Sequence, residues 1–336
     1  MIAGMSLEEK VSQLFILSLG NETSGTSIDL ARFITESQAG GYIFFSENIT
    51  TIEGTRAFAD AISMFSYIPP FIAIDEEGGT VSRLRTAGLP SYTPQPSARD
   101  LGQTGDVSNA YDAGAAIGKA LSEIGVNVNF APVADVRTNP SNTVIGSRAF
   151  GSDPELVADM ASAFQAGLRS TGVFASPKHF PGHGNTADDS HFGRAVIASD
   201  AEHLEQVEFV PFRRLISEGA EFIMTGHLLV PEVEPYGLPA TLSEYFVTQI
   251  LRDELGFEGI IVTDAMNMGA ITHEFSAAQA AVLAINSGVD MILMPQNFSD
   301  AVDGIIEAIE DGVISIERIH ESLFRILGTK LMLISY

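Results

Sequence analysis

The stretch GIIVTDAM (259–266) places four apolar or β-branched residues in succession and then a carboxylate, Asp264. Such a run reads as a strand buried on both faces, the pattern of a parallel sheet covered by helices. The same grammar recurs along the chain. VFASPKHF (173–180) ends in Lys178 and His179, PFIAIDEE (70–77) in acidic residues that begin with Asp75, VNVNFAPVAD (126–135) in Asp135, and EFIMTGHL (221–228) carries His227 near its end. QLFILSLG (13–20), GYIFF (41–45) and DMILMP (290–295) bring the apolar runs to eight. Between them lie amphipathic stretches such as LVADMASAFQAGLRSTG and SEYFVTQILRDELG, many closing on a Gly suited to a helix C-cap. Eight strands alternating with helices predict an α/β protein with a TIM-like (β/α)8 barrel, organised as a single domain over 1–336. A doubly wound open sheet is the rival. It would concentrate polar residues at one switch point, whereas here they stand at the ends of many strands, as a barrel mouth requires.

The chain of 336 residues has 45% hydrophobic and 18% charged residues, a composition for a well-buried fold and against disorder. A formal net charge of −25 argues against nucleic acid, since phosphate binding needs clustered Lys and Arg. With no Cys there are no disulfides, thiolate zinc sites or cysteine nucleophiles. No apolar run approaches the ~20 residues that span a bilayer. The start, MIAGMSLEEKVSQLF, lacks a basic segment followed by an apolar one and reads as a helix with Ser6 as N-cap and Glu8 and Glu9 in its first turn. A cytoplasmic monomer is expected, with no membrane span.

Asp264 admits two readings from local sequence: an N-cap for the next helix, or a nucleophile between Met266 and Met268 waiting for an electrophilic carbon. Lys178 and His179 are adjacent polar groups at a strand end, hard to bury unpaired. His179 and His183 have a spacing that suggests a metal, but the intervening Phe-Pro-Gly cannot be helical and no third ligand is evident, so no metal or other cofactor is expected. Asp189-Ser190-His191 lies in a Gly-rich loop. Residues two apart in extended chain share a side, so Asp189 can fix the His191 tautomer and leave its other nitrogen for proton transfer. A solvated loop pair without a task is the alternative. A Ser-His-Asp hydrolase lacks its nucleophile elbow, because no G-x-S-x-G occurs. Asp75, Arg83 and Arg148 complete a set suited to a polyhydroxyl ligand, although each taken singly reads equally as a salt-bridge partner.

Together KHFPGHG, the downstream DDSH, IDEEGG, GSRAFG, MTGH and VTDAM resemble the β-N-acetylglucosaminidases of glycoside hydrolase family 3, in the expected order and over nearly the whole chain. The resemblance implies a TIM-like barrel and a retaining two-step mechanism without metal. It makes Asp264 the nucleophile, His191 the acid/base and Asp189 its dyad partner, and it gives Asp75, Arg83, Arg148, Lys178 and His179 the task of holding the N-acetylglucosamine unit. The implied substrates are peptidoglycan fragments or chitooligosaccharides. Two relatives of this activity stay open: a β-N-acetylglucosaminide phosphorylase using the same residues, and a family 3 β-glucosidase, which usually carries a second α/β domain.

Overall fold

A computed structural model describes residues 2–90, 92–186, 195–234 and 236–334. Its centre is a ring of eight parallel strands: β1 (Phe15–Ser18), β2 (Gly41–Phe44), β3 (Phe71–Ile74), β4 (Val128–Asn129), β5 (Phe174–Ala175), β6 (Phe222–Thr225), β7 (Ile260–Thr263) and β8 (Ile292–Leu293). Six form one continuous sheet in the order β8-β1-β2-β3-β4-β5, and β6 pairs β7 over four residues. Two seams close the ring. Met224 N donates to Pro177 O at 2.9 Å and Phe180 N to Met224 O at 2.8 Å, while Thr263 N donates to Met291 O at 3.0 Å. The barrel expected from the spacing of polar strand ends is the fold observed.

Helices α1 (Leu7–Ser12), α2 (Ile28–Ser37), α3 (Ile52–Phe65), α4 (Val107–Glu123), α5 (Pro154–Arg169), α6 (Phe209–Ser217), α7 (Tyr245–Glu254, wound as a π-helix), α8 (Ala277–Ser287), α9 (Phe298–Glu310) and α10 (Ile316–Ile334) surround it. Their starts are written in the sequence. Ser6 and Glu9 form a reciprocal capping box, as do Ser276 and Gln279, and Asp153 caps α5 ahead of Pro154 at its first position. Each such cap contributes roughly 1 kcal/mol.

The strands bury nearly every side chain. Phe71, Phe174 and Phe222, the first residues of β3, β5 and β6, pack ring to ring at the base, with centroids 5.1 and 6.3 Å from Phe222. Burying each such ring stabilises the fold by about 1.5–3 kcal/mol.

The apolar run 126–135 yields only two strand residues. Pro132 has no N–H to give the ladder, so the pairing with β5 continues irregularly: Ser176 N donates to Asn129 O and Ala131 O, and Lys178 N donates to Pro132 O at 3.1 Å. The chain thereby carries Lys178 and His179 beyond the regular sheet and into the mouth. The last helix runs Ile316–Ile334. Among the described residues no helix is long and apolar enough to cross a membrane.

Candidate active site

At the C-terminal ends of the strands a cavity of about 320 Å³ opens, lined by Asp75, Glu77, Arg83, Arg148, Lys178, His179 and Asp264 together with Met224, Met268 and Met294. Six of the eight residues named from sequence therefore meet in one place. Asp189 and His191 lie outside the described residues.

Lys178 organises the polar wall. Its ammonium is almost wholly buried between Asp75 Oδ1 at 2.6 Å and Glu77 Oε1 at 2.7 Å. Burial alone would favour the neutral amine. The two carboxylates outweigh it and hold Lys178 above its ordinary value, so it stays charged. Glu77 also accepts both Arg148 Nε at 2.9 Å and Nη2 at 2.8 Å, a bidentate fork. Burial opposes the Glu77 charge, but Arg148 and Lys178 hold the carboxyl well below the usual range. Arg83 approaches Asp75 at 3.7 Å and lies over the Phe45 ring at 5.3 Å, and its buried Nε has no hydrogen-bond partner.

His179 is oriented from behind. Its Nδ1 lies 2.7 Å from Asp135 Oδ2, and its backbone N–H and that of His183 both donate to Asp135 Oδ1, at 3.1 and 2.7 Å. Asp135 is fully buried. Burial raises its carboxyl, but the two histidines and these N–H donors more than compensate and leave it below the usual range. An ionised Asp135 fixes the proton of His179 on Nδ1, which leaves Nε2 as an acceptor 3.3 Å from Arg148 Nη2. Burial and the neighbouring His179 push His183 down to about 4, so it is neutral at ordinary pH. The close approach of the two loops needs glycine: a Cβ on Gly184 would overlap the Val136 carbonyl oxygen.

Asp264 stands just beyond β7. The N-cap alternative fails: the next helical turn, Gly269–Thr272, begins after Met268, and α8 is capped by Ser276. The Asp264 carboxylate instead accepts the N–H of Ala265 at 2.7 Å and otherwise faces the cavity. Burial pushes this carboxyl up, while His179, His227, the Ala265 N–H and Lys178 together hold it below its ordinary value. It is therefore an ionised, sparsely solvated carboxylate with few partners, the state a nucleophile needs. His227 supports it: Nε2 donates to Ala265 O at 3.0 Å and Nδ1 lies 3.1 Å from Thr241 Oγ1, which fixes the backbone behind Asp264.

The sequence reading did not single out Glu77, and it gave no role to Asp135 or His227. Glu77 was findable. Extended chain past β3 puts alternate residues on one side, so Asp75 and Glu77 face the mouth together. Glu76 between them turns inward to accept Leu84 N–H at 2.9 Å and Tyr92 O–H at 3.0 Å. Among the described residues no cluster of three or more His, Asp or Glu is arranged to hold a metal.

The family model for the glycosyl hydrolase family 3 N-terminal domain matches residues 6–329. The chain belongs to glycoside hydrolase family 3. It is 35% identical over 334 residues to Beta-hexosaminidase A of Pseudoalteromonas piscicida, covering 90% of this chain and 55% of that one. It is 36% identical over 299 residues to Beta-hexosaminidase of Alkalilimnicola ehrlichii, covering 88% and 84%. Among solved structures, a family 3 β-N-acetylglucosaminidase from Paenibacillus superposes with a TM-score of 0.93 at 38% identity, over 98% of this chain and 63% of that one. This family 3 chain thus spans little more than half the length of one relative and most of another.

Proposed function

We propose that the chain is a retaining, exo-acting β-N-acetylglucosaminidase that removes non-reducing terminal N-acetylglucosamine from peptidoglycan fragments or chitooligosaccharides. The observation that carries the reading is one cavity bounded on one side by the ionised Asp264 and on the other by the Asp75–Lys178–Glu77–Arg148–His179 network. A sugar needs charged acceptors and planar donors converging from several loops, and this wall supplies both. The names of its relatives favour a 2-acetamido sugar over glucose.

In this reading Asp75, Lys178, Arg83, Arg148 and His179 grip the ring hydroxyls and set its anomeric carbon against Asp264. The Asp264 carboxylate attacks that carbon, and the C–O bond to the leaving group breaks as His191, steadied by Asp189, gives its proton to the departing oxygen. Water then transfers a proton to His191 and attacks the anomeric carbon, which releases Asp264. His179, His227, the Ala265 N–H and Lys178 keep Asp264 ionised, while Lys178 and Arg148 stabilise the oxygens around the oxocarbenium-like transition state.

A proton NMR time course with an aryl β-N-acetylglucosaminide, run with and without phosphate, tests this directly. Early β-anomer of free N-acetylglucosamine in both samples is expected. Sugar 1-phosphate formed whenever phosphate is present would make the protein a phosphorylase, and early α-anomer would exclude retention. Asp264→Asn should lower kcat by several orders of magnitude even for an activated phenol leaving group, because no glycosyl-enzyme can form. His191→Ala should cost about 10²–10⁴-fold with a sugar leaving group and far less with an acidic phenol. Equal damage to both substrates would remove His191 from the acid role.

A further inference from the structure

Behind the two histidines of the site lies a buried carboxyl that the proposed reaction does not use. Glu208, at the end of the helical stretch Leu204–Glu208 that leads into α6, is wholly buried, and both its oxygens lack a hydrogen-bond partner. His203 Nε2, itself unpartnered, is 3.8 Å from Oε1, an ion-pair distance but too long for a hydrogen bond. On the other side the carboxyl presses on Gly182, where any Cβ would overlap Oε2, and where φ of +133° already favours glycine.

That glycine is the hinge between the two histidines. Gly182 N donates to His179 O at 2.8 Å, and the backbone N–H groups of His179 and His183 converge on Asp135. Phe180, inside the same turn, stacks on Phe209 at 5.6 Å and meets Phe212 edge-on at 5.3 Å. Residues 208–212 are therefore the wall against which the 179–183 turn is moulded. A buried carboxyl with no partner costs a few kcal/mol relative to an apolar side chain of the same shape, so a purely structural wall is better built without one.

We propose that Glu208, at ion-pair distance from His203, is a positioning residue that sets the orientation of the His179 and His183 rings through the Gly182 turn. The inference rests on the reading of His179 as a sugar-binding group. Among the described residues the charged groups that face Glu208 are His203 on the preceding turn and Asp135 beyond β4, while Asp200 acts on His203; Phe180 and Gly182 present apolar surface. Burial pushes Glu208 up to about 7, with Asp135 adding to the rise and His203 resisting it, and His203 is raised in turn by Glu208. The pair consequently changes its proton count around neutral pH. Below that, a neutral Glu208 faces Asp135 without repulsion. Above it, the carboxylate draws on His203 and repels Asp135 across the turn, and the anchor of both histidines shifts.

Histidine ring ¹⁵N NMR of the full chain between pH 5 and 9, in wild type, Glu208→Gln and His203→Gln, tests this without requiring turnover. Histidine substitutions assign the signals. The His183 ring, whose own titration lies near pH 4, should show a further inflection near neutrality. That step should vanish in Glu208→Gln and move in His203→Gln, which carries the comparison alone should the buried variant fail to fold. In kinetics with the aryl glycoside, Glu208→Gln should raise KM by about 5–10-fold, change kcat less than about threefold, and flatten kcat/KM across pH 6–8. His179 and His183 signals that superimpose in all three proteins at every pH would overturn the proposal and leave Glu208 a packing residue. A wild type without glycosidase activity would instead remove the sugar reading and leave the ring-signal comparison standing.

Discussion

The base and the mouth of the barrel both bury charge, in opposite ways. At the base, Asp290 is fully buried and accepts Arg252 at 2.6 Å, Arg325 at 3.1 Å, Arg318 at 3.3 Å, Ser322 Oγ at 2.7 Å and the Ile261 N–H at 3.0 Å. Burial opposes its charge, and the three guanidinium groups hold it below the usual range regardless. Its oxygens are fully engaged, and the cluster ties α10 and α7 to the strands. At the mouth, Asp264 has one backbone donor and faces open space. A saturated carboxylate holds a fold together, whereas one with spare lone pairs beside a cavity is ready for a ligand. Volume does not make this distinction. A larger cavity of about 620 Å³ lies at the base, but its lining is mostly apolar, with Ile2, Pro69, Phe324 and Leu327, and its titratable groups His320 and Lys330 include no carboxylate.

The contrast predicts a clean separation of phenotypes, and the base should give the largest stability effect. Asp290→Asn leaves three arginines around a neutral amide, an imbalance that costs about 3–5 kcal/mol. Thermal unfolding should fall by about 5–10 °C, with kcat and KM of the surviving folded protein near wild type. A folded Asp290→Asn protein with kcat much reduced would show that the two ends are coupled and would break the comparison.

Glu77→Gln probes the mouth. It removes the anion that Arg148 and Lys178 share and loses charge-assisted hydrogen bonds of about 1.5–3 kcal/mol, so kcat/KM should fall roughly 10–100-fold, mostly through KM. Circular dichroism melting, run beside the kinetics, should show a smaller loss than for Asp290→Asn. Comparable melting losses with unchanged KM would place Glu77 with the structural cluster instead.

Which parts of this were legible in the sequence follows from what each part depends on. Strand runs, helix caps and the polar residue ending each strand are local. They gave the barrel and put Asp75, Lys178, His179 and Asp264 at one mouth, whereas Arg83 and Arg148 joined them through the family resemblance. Asp290 was illegible. It opens the apolar run DMILMP, and its arginine partners stand 28 to 38 residues away on two other helices. Asp135 was visible as a strand-end carboxylate, yet its task, turning His179 by its Nδ1 while holding two backbone N–H groups, depends on a turn 44 to 48 residues away. Periodicity finds which end of the barrel a residue occupies. It does not say which charges saturate one another there.

Lys330 on α10 refines the comparison, because it is a buried charge at the base that is not saturated. Its ammonium has Gln13 Oε1 at 2.8 Å and the Phe71 ring at 5.3 Å, and among the described residues no carboxylate. Burial therefore pulls it down to about 7 from the ordinary 10.5. A lysine depressed in the folded state contributes stability at pH above the ordinary value, and loses that contribution as pH falls toward the folded one. At pH 6 the folded protein carries a buried cation, and at pH 10 a neutral amine. Lys330→Met removes this dependence. The melting difference between variant and wild type should be more favourable at pH 6 than at pH 10 by several degrees, because the loss of the Gln13 donor is common to both pH values and cancels. A difference that is flat across that range would mean that Lys330 keeps its proton throughout with the help of water, and the base would then tolerate charge as the mouth does.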